Sequence, residues 1–318
     1  MSESFKPAWW LSNNHLQTLW PTLCRRPMNH ISITRERFEL PDGDFVDLDW
    51  SGSGNGPIVI MLHGLEGSID SPYAKGMLHA MSRHGWRGVL MHFRCCSGER
   101  NRLPRTYHSG ETGDINTIVT ALSHREPGVS LAAMGFSLGG NVLLKWLGES
   151  GKNNILKAAI AISVPFELDK SANRINQGFS RLYQWHLLRS LHNKMQWKFR
   201  EQASPIHIPP LSELHTIRDF DEAVTAPLHG FANAEEYYAK SSCRPYLRNI
   251  HVPTLLLQAK DDPFMTEDLL PGPDELSSAM TLELTEKGGH VGFVSGPLPW
   301  QAEYWLEKRV PLFLKEYL

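Results

Sequence analysis

The chain has 318 residues, 41% hydrophobic and 21% charged, with a formal net charge of −2. That composition suits a globular fold of one large domain with an insertion, or of two domains. With no basic run interleaved with aromatics, it speaks against a nucleic-acid partner. No apolar run approaches the roughly 18–20 residues of a membrane span. The first residues lack the basic and apolar regions of a signal peptide. Cys24, Cys95, Cys96 and Cys243 show no C-x-x-C spacing, so the expectation is reduced thiols in the cytoplasm.

Residues 5–23 are rich in aromatic and aliphatic side chains: Phe5, Trp9, Trp10, Leu11, Leu16, Leu19 and Trp20. They read as an arm packed on the domain. The other reading is a flap near a lipidic site, or a weak contact with a membrane surface. Residues 35–40 and 45–50 read as strands around the turn Pro41-Asp42-Gly43-Asp44. The glycine-rich loop 51–56 is not G-x-G-x-x-G and no helix follows it, so no dinucleotide cofactor is expected. Residues 57–62 are continuously apolar, as at the centre of a parallel sheet. His63-Gly64-Leu65-Glu66-Gly67-Ser68 follows directly. A glycine-containing turn there can present the Leu65 N–H to a site beyond the strand ends. His63 reads as a structural histidine. A helix over 73–84, a strand over 86–93, a polar loop to Gly113 and a helix to about Arg125 come next.

Residues 129–134 form a short apolar run and 142–147 open a helical pattern. Between them lies Gly135-x-Ser137-x-Gly139, the spacing of a nucleophile elbow. A serine at the tip of such a turn exposes its hydroxyl, and side chains at 135 and 139 would meet the neighbouring strand and helix. Leu138 follows in the first helical turn, where its N–H points at developing negative charge.

After a strand over 158–164, no strand is clear from 165 to 250. Helical stretches around 178–202 and 221–225, with the segment 237–247, suggest a helical cap. It would be inserted into a single domain spanning 1–318, with Phe179, Tyr183 and Trp185 beside an apolar pocket. The sheet resumes at 253–258, has its last strand at 281–285, and is closed by an amphipathic helix over 300–317. Strands alternating with helices predict a mostly parallel sheet covered on both faces. Gly148-Glu149-Ser150-Gly151-Lys152 ends a helix instead of opening one, so it is no phosphate loop. No H-E-x-x-H or paired Cys/His spacing points to a metal.

Serine is a weak nucleophile until a base takes its proton, and that base needs an orienting acid. After Ser137 the chain offers Asp261-Asp262 just beyond one strand and His290 beyond the next. The order Ser, Asp, His at strand ends fits acyl transfer, with His290 as base, Asp262 as orienting acid, and the N–H groups of Leu65 and Leu138 as the oxyanion hole. Adjacent side chains on an extended chain point to opposite sides, and Pro263 holds Asp262 extended. Asp262 is therefore the expected acid, and Asp261 is left to bond within its turn. A thioesterase or acyltransferase would use the same three residues. A non-catalytic receptor for a small ligand is the reading from another class.

Several stretches together resemble one family: Phe5-Lys6-Pro7-Ala8-Trp9-Trp10, His15-Leu16-Gln17-Thr18, His63 to Ser68, Tyr107-His108-Ser109-Gly110-Glu111-Thr112, Gly135 to Asn141, Ala259-Lys260-Asp261-Asp262-Pro263-Phe264 and Gly288-Gly289-His290-Val291-Gly292-Phe293. The chain is similar to the bacterial YheT-type esterases, relatives of eukaryotic α/β-hydrolase-domain lipid esterases. The resemblance implies an α/β-hydrolase fold and hydrolysis of short- to medium-chain or acylglycerol-like carboxylic esters, without cofactor or metal. It also implies the triad Ser137, Asp262 and His290. Its partner would be a small-molecule ester or lipid. One position departs from the family pattern: Cys95 stands where Arg-Gly-Cys-Ser-Gly usually has glycine.

Overall fold

The computed structural model of the chain describes residues 4–26, 28 and 31–318. Helix α1 (Asn14–Cys24) precedes the strands β1 (Thr34–Glu39) and β2 (Phe45–Ser51). Strands and helices then alternate: β3 (Ile58–Leu62), α2 (Ala74–Arg83), β4 (Arg87–Met91), α3 (Gly113–Arg125), β5 (Leu131–Phe136), α4 (Leu138–Ser150) and β6 (Ala158–Ile162). A helical insertion follows, made of α5 (Leu168–Ile175), α6 (Ser180–Phe199), α7 (Ile217–Phe220), a π-helical turn (Asp221–Thr225), α8 (Ala226–Leu228) and α9 (Ala234–Ser241). The chain returns through β7 (Thr254–Ala259), β8 (Met280–Thr285), β9 (Val294–Ser295), β10 (Glu303–Tyr304) and α10 (Leu306–Leu314).

Eight strands form one sheet in the order β1-β2-β4-β3-β5-β6-β7-β8. The contacts of β2 with β1 and β4 are antiparallel and the rest are parallel. Strand β3 shows why the centre is apolar throughout. Ile58, Ile60 and Leu62 join a core with Ile115 and Val119 of α3 and Val142 and Leu143 of α4. Val59 and Met61 join the opposite core with Met77 and Leu78 of α2 and Val310 of α10. Successive side chains leave a strand on opposite faces, so a sheet covered twice has no polar register. Burial stabilises each such side chain by roughly 1.5–3 kcal/mol.

The fold differs from the sequence-based expectation at both ends. The arm contains α1, which its mixed polar and aromatic pattern does not announce. Residues 281–285 fall in β8, the last strand of the large sheet as expected, but β9 and β10 pair with each other beyond it. Two-residue strands carry no readable period. They displace the start of the expected closing helix, and residues 299–301 form only a 3₁₀ turn before α10. Among the described residues no helix is long and apolar enough to cross a membrane.

Candidate active site

Strand β5 runs into α4 through Ser137, whose backbone is held at φ 52° and ψ −119°. An L-residue in that conformation is strained, and it persists because its surroundings leave no other path. The Ser137 N–H donates to the Ile162 carbonyl of β6 at 2.8 Å. A Cβ at Gly135 would lie 2.4 Å from the Gly139 carbonyl oxygen, and one at Gly139 would lie 2.5 Å from the carbonyl oxygens of Leu62 and His63. Only glycine fits either place.

His290 comes from the loop after β8. Its Nε2 lies 3.0 Å from Ser137 Oγ, and its Nδ1 lies 2.8 Å from Asp262 Oδ2. Asp262 is buried, and its Oδ1 accepts the Phe264 N–H at 2.8 Å. The Phe264 ring stacks on the imidazole, with centroids 4.0 Å apart and an interplanar angle of 8°. One carboxylate oxygen thus orients the histidine while the other is fixed by the following turn. A carboxylate at Nδ1 sets the tautomer that leaves Nε2 free to accept the serine proton.

Asp261 points away from that pair, and not into its own turn as expected. Its Oδ1 accepts the Gly289 N–H at 2.9 Å and so ties the two loops together. Burial raises the Asp261 carboxyl above the ordinary aspartate value. The Gly289 N–H works against that rise and the neighbouring Asp262 charge adds to it. That α1 holds the histidine loop is not among the sequence-based expectations. Thr18 Oγ1 accepts the His290 N–H at 2.9 Å, and the buried Gln17 side chain bonds both backbone groups of Val294 at 2.8 and 3.0 Å. Gly289 permits this docking, since a Cβ there would lie 2.6 Å from both the Asn14 carbonyl and Thr18 Oγ1. The cue was available in Asn14, Gln17 and Thr18, polar residues at helical spacing in an apolar arm.

The turn after β3 closes on the same point. The Gly64 N–H is taken by the Tyr73 hydroxyl and the Glu66 N–H by the Tyr107 hydroxyl, both at 2.8 Å. Among the described residues Leu65 between them has no such partner, and Leu138 is the first residue of α4, so its N–H has none within the helix. Both residues line the cavity that holds Ser137 and His290. His63 is structural, as expected. Its Nε2 accepts the Phe93 N–H, so Nδ1 is the protonated nitrogen and donates to the Gly64 carbonyl. Complete burial pushes its pKa down to about 3.

Two spaces meet at Ser137 and His290. An inner chamber of about 130 Å³ lies under the insertion, and an outer groove of about 590 Å³ opens beside α1 and α6. The inner walls carry Leu168, Ile175, Leu187, Leu191 and Val224. Of the three aromatic residues expected beside a pocket, two border the outer groove and none the inner chamber. Phe179 packs on His15 with ring centroids 4.4 Å apart, while Tyr183 and Trp185 line the outer groove. Tyr183, Leu187 and Leu191 follow one stripe of α6 that runs from the groove to the chamber, and Trp185 lies two residues away on another face.

A family model of the alpha/beta hydrolase fold matches residues 57–297. The chain belongs to the α/β hydrolase fold family. This hydrolase is 43% identical over 323 residues to "Putative esterase YheT" of Escherichia coli, a match covering 100% of this chain and 94% of that protein. It is 30% identical to "Phospholipase ABHD3" of Mus musculus, over 96% of this chain and 76% of the relative. It is 33% identical to the "Monoacylglycerol lipase" of Saccharomyces cerevisiae, over 74% of this chain and 55% of the relative. Among solved structures, an esterase of Pyrococcus furiosus superposes with a TM-score of 0.61 at 18% identity, covering 90% of this chain and 91% of that one. That likeness concerns the fold alone.

Proposed function

We propose that this α/β hydrolase is a serine carboxylesterase working through Ser137, His290 and Asp262. The observation that carries the reading is the unbroken run from Asp262 through His290 to Ser137, at 2.8 and 3.0 Å, ending on a strained serine in a cavity. His290 Nε2 takes the serine proton as Oγ bonds to the ester carbonyl carbon. The resulting oxyanion is met by the Leu65 and Leu138 N–H groups, and Asp262 stabilises the imidazolium. His290 then gives the proton to the leaving alkoxide. A water molecule, deprotonated by the same histidine, releases the acid and restores Ser137.

The two spaces suit the two arms of an ester. A 150 Å³ apolar cavity holds a benzene-sized guest, so the 130 Å³ inner chamber suits an arm of about six carbons. The outer groove is rimmed by exposed Leu23, Leu182 and Trp185, which supports a longer apolar or acylglycerol-like partner and a weak contact with a lipid surface. In this reading residues 165–250 are the cap. The four free thiols are consistent with a cytoplasmic setting. The names of the relatives, an esterase, a phospholipase and a lipase, agree in reaction class.

The test is Ser137→Ala against wild type, on p-nitrophenyl esters and acyl-CoA thioesters graded by chain length, with a fluorophosphonate probe alongside. The expected result is ester hydrolysis and labelling in wild type, and in the variant no labelling and only residual hydrolysis, at similar melting temperature. Removing one triad member leaves about 10³–10⁴-fold catalysis over water. Wild-type rates in the variant would overturn the mechanism. Faster thioester turnover would move the substrate to the thioester class.

A further inference from the structure

One wall of the inner chamber is polar, and the mechanism does not use it. The segment α7, π-turn and α8 runs continuously, and the π-turn brings Asp221, Val224 and Thr225 to the chamber. Such turns recur at functional sites because they re-aim side chains. Asp221 is 8% exposed. Its Oδ2 accepts the Tyr238 hydroxyl at 2.7 Å, and the Thr225 hydroxyl bonds it as well. A carboxylate accepts about four hydrogen bonds, so these two leave capacity facing the chamber. Among the described residues no basic side chain forms an ion pair with Asp221. Arg218, whose charge acts on Asp221, is paired with Asp169. Across the chamber wall, on α5, Ser171 Oγ is buried with no hydrogen-bond partner among the described residues.

A buried, unpaired carboxylate is costly. Burial raises Asp221 to about 6, the Thr225 and Tyr238 hydroxyls only partly opposing it. Tying the π-turn to α9 needs only an acceptor for Tyr238, which an amide supplies without charge. The surplus is an acceptor on the wall of a space sized for one substrate arm. We propose that Asp221, with Ser171, receives a hydrogen-bond donor, a hydroxyl or amine, at the far end of the ester arm held in the inner chamber. The substrate class is then an ester with one arm of about six carbons ending in such a donor. This rests on the reading of the chamber as an ester-arm site.

The experiment separates binding from turnover. Ser137→Ala is titrated calorimetrically with methyl hexanoate, methyl ω-hydroxyhexanoate and methyl ω-aminohexanoate. A second series (hexyl, ω-hydroxyhexyl and ω-aminohexyl acetates) places the same arm on the alcohol side. In one of the two series the donor-ended esters should bind at least about 10-fold tighter than the alkyl ester, about 1.4 kcal/mol. Adding Asp221→Ala should bring that ratio below about 3-fold. Asp221→Asn keeps an acceptor and the local shape, so it should retain the hydroxyl preference and lose the amine preference. It carries the test if the alanine variant does not fold. Equal binding of all three ends in both series would overturn the proposal. Turnover of the same esters by wild type is read separately, so a failed esterase reading and a failed subsite are told apart.

Discussion

Lys194→Met offers a quantitative test of how α6 is held to the turn after β3. Lys194 reaches down from α6, and its Nζ lies 2.7 Å from Glu66 Oε1 and 2.9 Å from Cys96 Sγ. The two charged side chains are only 9% and 7% exposed. The same Glu66 oxygen accepts the Tyr107 hydroxyl at 2.8 Å, and Glu66 itself sits at φ 56°, next to Leu65. Methionine keeps the aliphatic stem and removes the cation, so the Glu66 carboxylate is left buried with one neutral donor. Breaking a buried pair from one side costs about 3–5 kcal/mol. The methionine's own packing offsets about 1 kcal/mol, which leaves a loss of about 3 kcal/mol. The double variant Lys194→Met, Glu66→Gln removes the stranded charge and should lose only about 1 kcal/mol. Activity should follow the turn. In the proposed mechanism Leu65 is an oxyanion donor, and loss of one costs about 10²–10³-fold, so a displaced Leu65 N–H should lower kcat about 10-fold in the single variant. Denaturant unfolding of wild type, both singles and the double gives the coupling, and kcat on one ester gives the functional arm. Independent sites add within about 0.5 kcal/mol. If the four stabilities add within that margin, the pair is not what joins α6 to the turn.

Three further outcomes follow from the site. Asp262→Asn should lower kcat by at least about 10²-fold, since the corresponding change in serine proteases costs about 10⁴-fold, whereas Asp261→Asn should cost far less; both are measured on one ester, and a dead Asp261→Asn would reverse the assignment. Thr18→Val leaves the His290 N–H without its acceptor and should cost about 1–3 kcal/mol of stability, with a kcat loss larger than any change in KM. Asp221 is held near 6, above its unfolded value, so its contribution is fully present below about pH 4 and is lost as pH rises through 6, a change of about 3 kcal/mol. The stability of wild type relative to Asp221→Asn should therefore fall between pH 4 and 7, as followed by denaturant midpoints, and a flat difference would refute the buried carboxylate.

The parts of the site legible in the sequence are those where one backbone constraint governs one residue type. Gly135 and Gly139 can be nothing larger beside the neighbouring carbonyls, and Ser137 sits where the period changes from two to 3.6. The same holds for His290 and Asp262, which follow apolar strands at the end where such sheets place their sites. What stayed hidden depends on contacts between distant segments. The docking of α1 rests on Gln17 and Thr18, whose partners lie more than 270 residues away in the chain. Asp261 looks like a turn residue until the Gly289 loop is seen against it. Aromatic content says what a helix carries and not which of the two spaces each side chain borders. Leu187 and Leu191 face the chamber while Trp185, 57% exposed, does not.

Cys95 shows how a departure from a family pattern can be absorbed. Its φ is 65°, which explains why glycine is the usual residue there. A side chain in that conformation costs about 1–2 kcal/mol, and the thiol offsets part of it. Cys95 Sγ donates to Asn101 Oδ1 at 2.7 Å, and the same oxygen accepts from Lys198 Nζ at 2.7 Å. Lys198 is fully buried and also donates to the Leu103 carbonyl at 2.7 Å. It lies four residues after Lys194, one turn along α6 on the same face. Two ammonium groups on that face thus reach into two loops of the sheet domain, the turn after β3 and the loop after β4. Neither is available to solvent, so this end of α6 can lift only by stranding a buried acceptor or carboxylate in each loop. The roof of the inner chamber is therefore pinned at the C-terminal half of α6. The N-terminal half, with Leu182 and Trp185 exposed, borders the outer groove. An ester reaching Ser137 has its open approach on that side, and the chamber receives whichever arm is short enough to pass beneath the pinned end.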